Sequence, residues 1–122
     1  MTADSAFAAD YLSTWTEPDE ARRHAATGRL WATDGSMSVS SLGTTLTGVA
    51  AITAHIDRVH ADLIAGKGLR FSYDQELTSG DALLLRWSMT APDGSVVGRG
   101  ADVVRRNPAD RITEVNMFMG VE

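Results

Sequence analysis

The sequence predicts an α+β fold, with helices first and an antiparallel sheet after them. Apolar residues recur at helical spacing through roughly the first half of the chain, and from Gly68 onward the period becomes two. The alternating segments are joined by the short turns "SGD", "APDGS" and "NPAD", as in a meander. A chain of 122 residues, 43% hydrophobic, has the length of one domain and enough apolar side chains for a core, so residues 1–122 are read as a single domain.

Residues 4–15, "DSAFAADYLSTW", place Phe7, Tyr11 and Trp15 four apart, with Ala8 and Leu12 alongside, on one helical face. "TEPDEA" restarts a helix, with Thr16 as cap, Pro18 in the first turn and Asp19 and Glu20 at the positive helix end. That second helix is expected to reach about Trp31 and to end near "TDG". "SMSVSSLGTTLTG" reads as two short strands or a strand and a loop. Val49, Ile52, Ile56, Val59 and Leu63 then form an amphipathic stripe that "GKG" at 66–68 closes. Four strands follow, in "LRFSYDQELT", "DALLLRWSMT", "SVVGRGADVVRR" and "RITEVNMFMGVE". Three helices packed on one face of a curved antiparallel sheet are the expected architecture.

Several function classes are disfavoured. The formal charge of −5 repels phosphate backbones and anionic lipid, so neither nucleic acid nor a membrane is expected as a partner. There is no cysteine, hence no disulfide, thiol nucleophile or Cys-ligated zinc. No apolar run approaches membrane-helix length, and "MTADSAFAAD" lacks the basic start of a signal peptide, so a cytoplasmic location is expected. The three histidines show no metal-ligand spacing, and "GRGAD" lacks the strand-to-helix glycine pattern of a dinucleotide site. No metal and no cofactor are expected.

One residue stands out. Asp102 interrupts the apolar run "GADVV", and an ionised carboxylate in a strand interior needs a partner or a use. It either faces solvent, pairs with a neighbouring-strand arginine such as Arg86, Arg99 or Arg105, or faces a pocket in which Gly98 and Gly100 leave room beside it. Tyr11 is core packing or a pocket hydroxyl. His55 lies one residue off the stripe of the third helix, as a boundary histidine or a proton carrier. His24 and His60 fall on polar helical faces and are read as solvated. Trp15, Trp31, Trp87, Met89, Met117 and Met119 belong to a core or line a pocket for a planar or polycyclic ligand.

The order of elements, together with "ADYLSTW", "RLWATDG", "LTGVAAITAHI", "DGSVVGRGADVV" and "DRITEVNMFMG", resembles the NTF2-like superfamily over nearly the whole chain, specifically its SnoaL-like and ketosteroid-isomerase-like branch. The resemblance implies a cystatin-like cone whose sheet curls around an apolar pocket. It also implies a homodimer paired through the outer sheet face. By this resemblance Asp102 matches a strand carboxylic acid that stays protonated and donates to a developing enolate oxygen, and Tyr11 matches the helix-1 tyrosine beside it. It turns Val115, Met117 and Met119 inward. The branch's general base is a loop aspartate after the second helix, but no carboxylate stands between Asp34 and Asp57, and the matching position falls near Ser40 or Ser41. His55, in the place of a pocket-lining aromatic, is the substitute base. Two functions follow. One is an isomerase or polyketide cyclase acting on a hydrophobic, ketone-bearing, steroid-like or polyketide-like molecule. The other is a non-catalytic binder of such a molecule. Epoxide hydrolysis is disfavoured, because Asn116 and Met117 offer no acid at the matching final-strand site.

Overall fold

A computed structural model describes residues 3–121. Helix α1 spans Ala3–Thr16 and α2 spans Glu20–Leu30. A hairpin of β1 (Trp31–Val39) and β2 (Thr44–Thr47) follows. Next come α3 (Val49–Val59) and a π-helical turn, His60–Ala65. The meander consists of β3 (Arg70–Ser79), β4 (Ala82–Thr90), β5 (Val96–Arg106) and β6 (Ile112–Met119). The sheet order is β2-β1-β6-β5-β4-β3, and three helices pack on it. This is the α+β NTF2-like arrangement expected from the sequence, with corrections at three points.

The sheet is mixed rather than antiparallel, because β1 pairs parallel to β6 while every other described pair is antiparallel. Helix α2 stops at Leu30, not beyond Trp31, and "WATDG" is strand. Trp31 is extended at φ −92° and ψ 140° and pairs with Ile112 across the sheet. A β-bulge between Trp31 and Ser36 lets the Trp31 ring lie against Gly35, where any Cβ would strike it. The cap of α2 is Asp19, not Thr16. Its carboxylate accepts the Arg22 backbone N–H at 2.9 Å, while Thr16 is still inside α1.

The core lies between the helices and the inward face of the sheet. Phe7, Tyr11, Trp15, Leu30, Trp31, Met37, Ile52, Ile56, Leu85, Val104, Ile112 and Val115 are all buried in one cluster. Two histidines expected in solvent are tied into this framework. His60 is buried and its Nδ1 lies 2.8 Å from the Trp15 carbonyl oxygen, so that nitrogen carries the proton and fastens the end of α1 to the π-helical turn. His24 Nε2 sits 2.8 Å from Asp57, whose other oxygen accepts from buried Arg23 at 2.9 Å. Arg23 also donates to the Glu17 carbonyl at 2.9 Å, so one guanidinium holds α2 to both α3 and the α1–α2 turn. These contacts depress the Asp57 pKa despite an opposing contribution from burial.

Gly100 shows how closely the sheet is packed. It faces the Trp87 ring on β4, and a Cβ there would stand 2.5 Å from the Phe118 carbonyl oxygen, a backbone atom that cannot move aside. Gly100→Ala should therefore destabilise the fold by about 1–3 kcal/mol in urea denaturation. An unchanged midpoint would disprove the close approach.

Candidate functional site

The site grows from sheet register. On β5, Asp102 pairs with Leu85 of β4 and Met117 of β6, and all three side chains point toward the helices. Asp102 is therefore neither solvent-facing nor clamped to arginine. It is 2% exposed, and its Oδ1 accepts the Trp87 indole N–H at 3.0 Å. Gly98 and Gly100 do share its face, but the room they leave is occupied. The Met89 methyl and the Trp87 ring lie over them, and Gly100 thereby lets the indole lie flat enough to reach the carboxyl.

Burial pushes the Asp102 pKa from an ordinary carboxylate value up to about 7, and the Trp87 donor opposes the rise. Near neutral pH both protonation states are populated. Trp87→Phe removes that donor while keeping a ring to stack on Phe71, now 5.9 Å away and 13° from parallel. Carboxyl titration by NMR should then show the Asp102 pKa moving above about 7. A downward shift would contradict the assigned hydrogen bond.

Asp102 opens onto a cavity of about 220 Å3 between the sheet and the helices. Of the residues singled out in the sequence, Trp15, His55, Trp87, Asp102, Met117 and Met119 line it. Tyr11, Trp31 and Val115 do not. Trp31 and Val115 are fully buried in the packed cluster with Leu30 and Met37. Tyr11 is also fully buried, stacked on Phe7 at 6.3 Å, and its hydroxyl has no hydrogen-bond partner among the described residues. Burial, and then the nearby Asp102 charge, raise the Tyr11 pKa well above normal. Trp15 opposes that rise without forming a well-shaped hydrogen bond to the hydroxyl.

The sequence reading missed Tyr73. It lines the same cavity from β3, and burial followed by the Tyr11 and Asp102 charges keeps its hydroxyl protonated far above neutral pH. The signal was available: Phe71 and Tyr73 share a strand parity, and Tyr73 pairs with Trp87. Ser41, near the expected loop-base position, also lines the cavity, whereas the Ser40 hydroxyl accepts the Met119 backbone N–H at 2.9 Å.

His55 reaches the cavity from α3, edge-on to Trp15 with ring centroids 6.0 Å apart. Burial, and secondarily the Arg58 charge, lower its pKa below 6.5, so the imidazole is neutral at pH 7. An acid shifted up and a base shifted down thus face one apolar volume, the pattern expected where protons are moved.

A SnoaL-like domain matches residues 6–115. The chain belongs to the SnoaL-like family. Among solved structures, this SnoaL-like chain is similar to a candidate isomerase of the same family from Agrobacterium tumefaciens, with 29% identity, 98% of each chain covered and a TM-score of 0.85. It shares its fold with a candidate ketosteroid isomerase from Kribbella flavida, at 16% identity over 96% of this chain and 77% of that one, TM-score 0.70. It also shares its fold with a ketosteroid-isomerase-like protein from Catenulispora acidiphila solved with trimethylamine, at 19% identity over 90% and 82%, TM-score 0.71. No curated protein matches the sequence. No helix among the described residues is long and apolar enough to cross a membrane.

Proposed function

We propose that this SnoaL-like protein is an isomerase or cyclase that enolises a hydrophobic ketone. The observation that carries the reading is the placement of Asp102 and His55 on one cavity with oppositely shifted pKa values. Because Asp102 Oδ1 is engaged by Trp87, its other oxygen carries the proton toward a ligand carbonyl. The Tyr73 hydroxyl is the second donor on the wall, in the place expected of Tyr11, which does not reach the cavity. Neutral His55 takes a proton from the carbon next to the carbonyl. The C–H bonding pair moves into the enolate, whose oxygen charge the two donors stabilise. In a β,γ-unsaturated ketone the enolate is conjugated with the C=C bond, and return of the proton from the His55 imidazolium to the γ carbon shifts that bond and completes an isomerisation. Attack of the enolate carbon on a second carbonyl of the same ligand forms the ring bond and pushes the C=O pair onto oxygen, and that alkoxide takes the proton back from the His55 imidazolium to complete a cyclisation. Preorganised donors of this kind contribute about 3–4 kcal/mol each.

The test is deuterium exchange at the carbon next to the carbonyl of 2-tetralone in D2O, followed by NMR. The protein should accelerate it, and His55→Ala should remove the acceleration. A second reading, binding without catalysis, draws support from the absence of a carboxylate between Asp34 and Asp57. It predicts that the ketone binds and exchanges no faster than in buffer.

The outer sheet face supports a homodimer. Phe118 pairs with Ala101 on the side opposite Asp102, and Val97 and Phe118 are exposed there at 55% and 46%. A second copy laid on this face would cover them. Phe118→Arg is then expected to yield a monomer by light scattering, and a wild type that is itself monomeric at micromolar concentration would exclude this interface.

A further inference from the structure

This inference rests on reading the Asp102 cavity as the ligand site, and it narrows the ligand. We propose that the cavity takes a ketone of one ring or two fused rings that carries no anionic group, rather than the four-ring, steroid-like or polyketide-like molecule that the family resemblance suggests.

Size comes first. The cavity measures about 220 Å3. A dry apolar cavity of about 150 Å3 accommodates a single benzene ring, so in proportion this one holds about nine non-hydrogen atoms, and its open side leaves room for a few more. A four-ring skeleton is roughly twice that size at ordinary packing density. The walls do not recede easily. Trp87 lies on the Gly100 backbone and is held by Asp102, and Met89 lies on Gly98. Trp15 belongs to a helix end fastened by His60.

Shape and charge follow. Phe71 and Trp87 lie within 13° of parallel, a flat wall that suits a planar ring. Among the described residues, neither lysine nor arginine lines the cavity, and its single acid is Asp102. An anionic ligand would bring a negative charge into apolar surroundings whose one basic side chain, His55, is held neutral by burial.

Dissociation constants from tryptophan fluorescence decide the matter, with 2-cyclohexenone, 2-tetralone, androst-4-ene-3,17-dione and a carboxylated indanone as probes. The tetralone should bind best, and the four-ring ketone and the carboxylate should each bind at least about tenfold more weakly, as for ligands a pocket cannot seat. Leu63→Ala, which removes a wall side chain, should close most of the gap for the four-ring ketone. Four-ring binding as tight as that of the tetralone in the wild type overturns the proposal and leaves enolisation standing if exchange persists. Tight tetralone binding without exchange supports this proposal while removing catalysis. Failure of all four probes to bind overturns it.

Discussion

Asp102→Asn is expected to make the protein more stable at pH 8 and to leave it almost unchanged at pH 4. In the unfolded chain the carboxyl ionises near its ordinary value of 3.8, whereas in the fold it holds its proton up to about 7. Below the lower value both states are protonated and the group has no influence. Between the two, the unfolded chain has lost the proton and the folded one has kept it, so rising pH favours unfolding. Above about 7 the penalty levels off, at about 3 pH units times 1.36 kcal/mol, or about 4 kcal/mol. Asparagine removes this dependence while its carbonyl oxygen still accepts the Trp87 N–H. Asp57, with its depressed pKa, acts in the opposite direction at lower pH but is common to both proteins, so it drops out of the difference. Urea denaturation of both forms from pH 4 to pH 8 measures the effect. A difference that does not grow over that window would mean that Asp102 is not a buried, high-pKa acid.

His55→Ala is expected to lower ketone exchange by about 10²–10⁴-fold, the usual contribution of a positioned proton carrier. Of the other side chains on the cavity, Tyr73 stays protonated, Ser41 is a weak base unaided, and Asp102, whose pKa of about 7 would also let it take a proton, is proposed as the donor, so exchange that survives His55→Ala but not Asp102→Asn would give Asp102 the part of the base. The pH profile provides a second readout. The proposed reaction requires neutral His55 and protonated Asp102, so its rate should fall on the acid side below the lowered histidine pKa and on the alkaline side above about 7. Asp102→Asn should flatten the alkaline limb alone, and His55→Ala should remove the rate at every pH. Accelerated exchange that is equal in wild type and His55→Ala would remove His55 as the base, and exchange by wild type no faster than in buffer would leave only ligand binding.

Much of this site could be read from residue order, for a local reason. Asp102 announced itself because a strand has period two and the residues around it are apolar. Trp15 and Trp87 were expected in a core or on a pocket wall, and the family resemblance turned Met117 and Met119 inward; all four line the cavity. Trp31 and Val115 carry the same local signal but belong to the solid core, because a parity says which face a residue is on and not whether the space above it is filled. Tyr73 went unnoticed because its strand reads as exposed over most of its length and its relation to Asp102 spans two strand pairings. His24 and His60 look solvated on their own helices. Their partners, Asp57 and the Trp15 carbonyl, come from other elements.

The division has a physical basis. Local periodicity and turn chemistry were enough to specify three helices and a strand meander and to single out Asp102, since each depends on residues within a few positions of one another, whereas the inward direction of Asp102 was implied only by the family resemblance. The parallel β1–β6 pairing, the Trp87 clamp made possible by Gly100, the roughly 220 Å3 of unfilled space and the upward shift of Asp102 depended on the assembled fold. Each arises from contact between segments far apart in the chain, and the pKa shift arises from water being excluded once those segments have met.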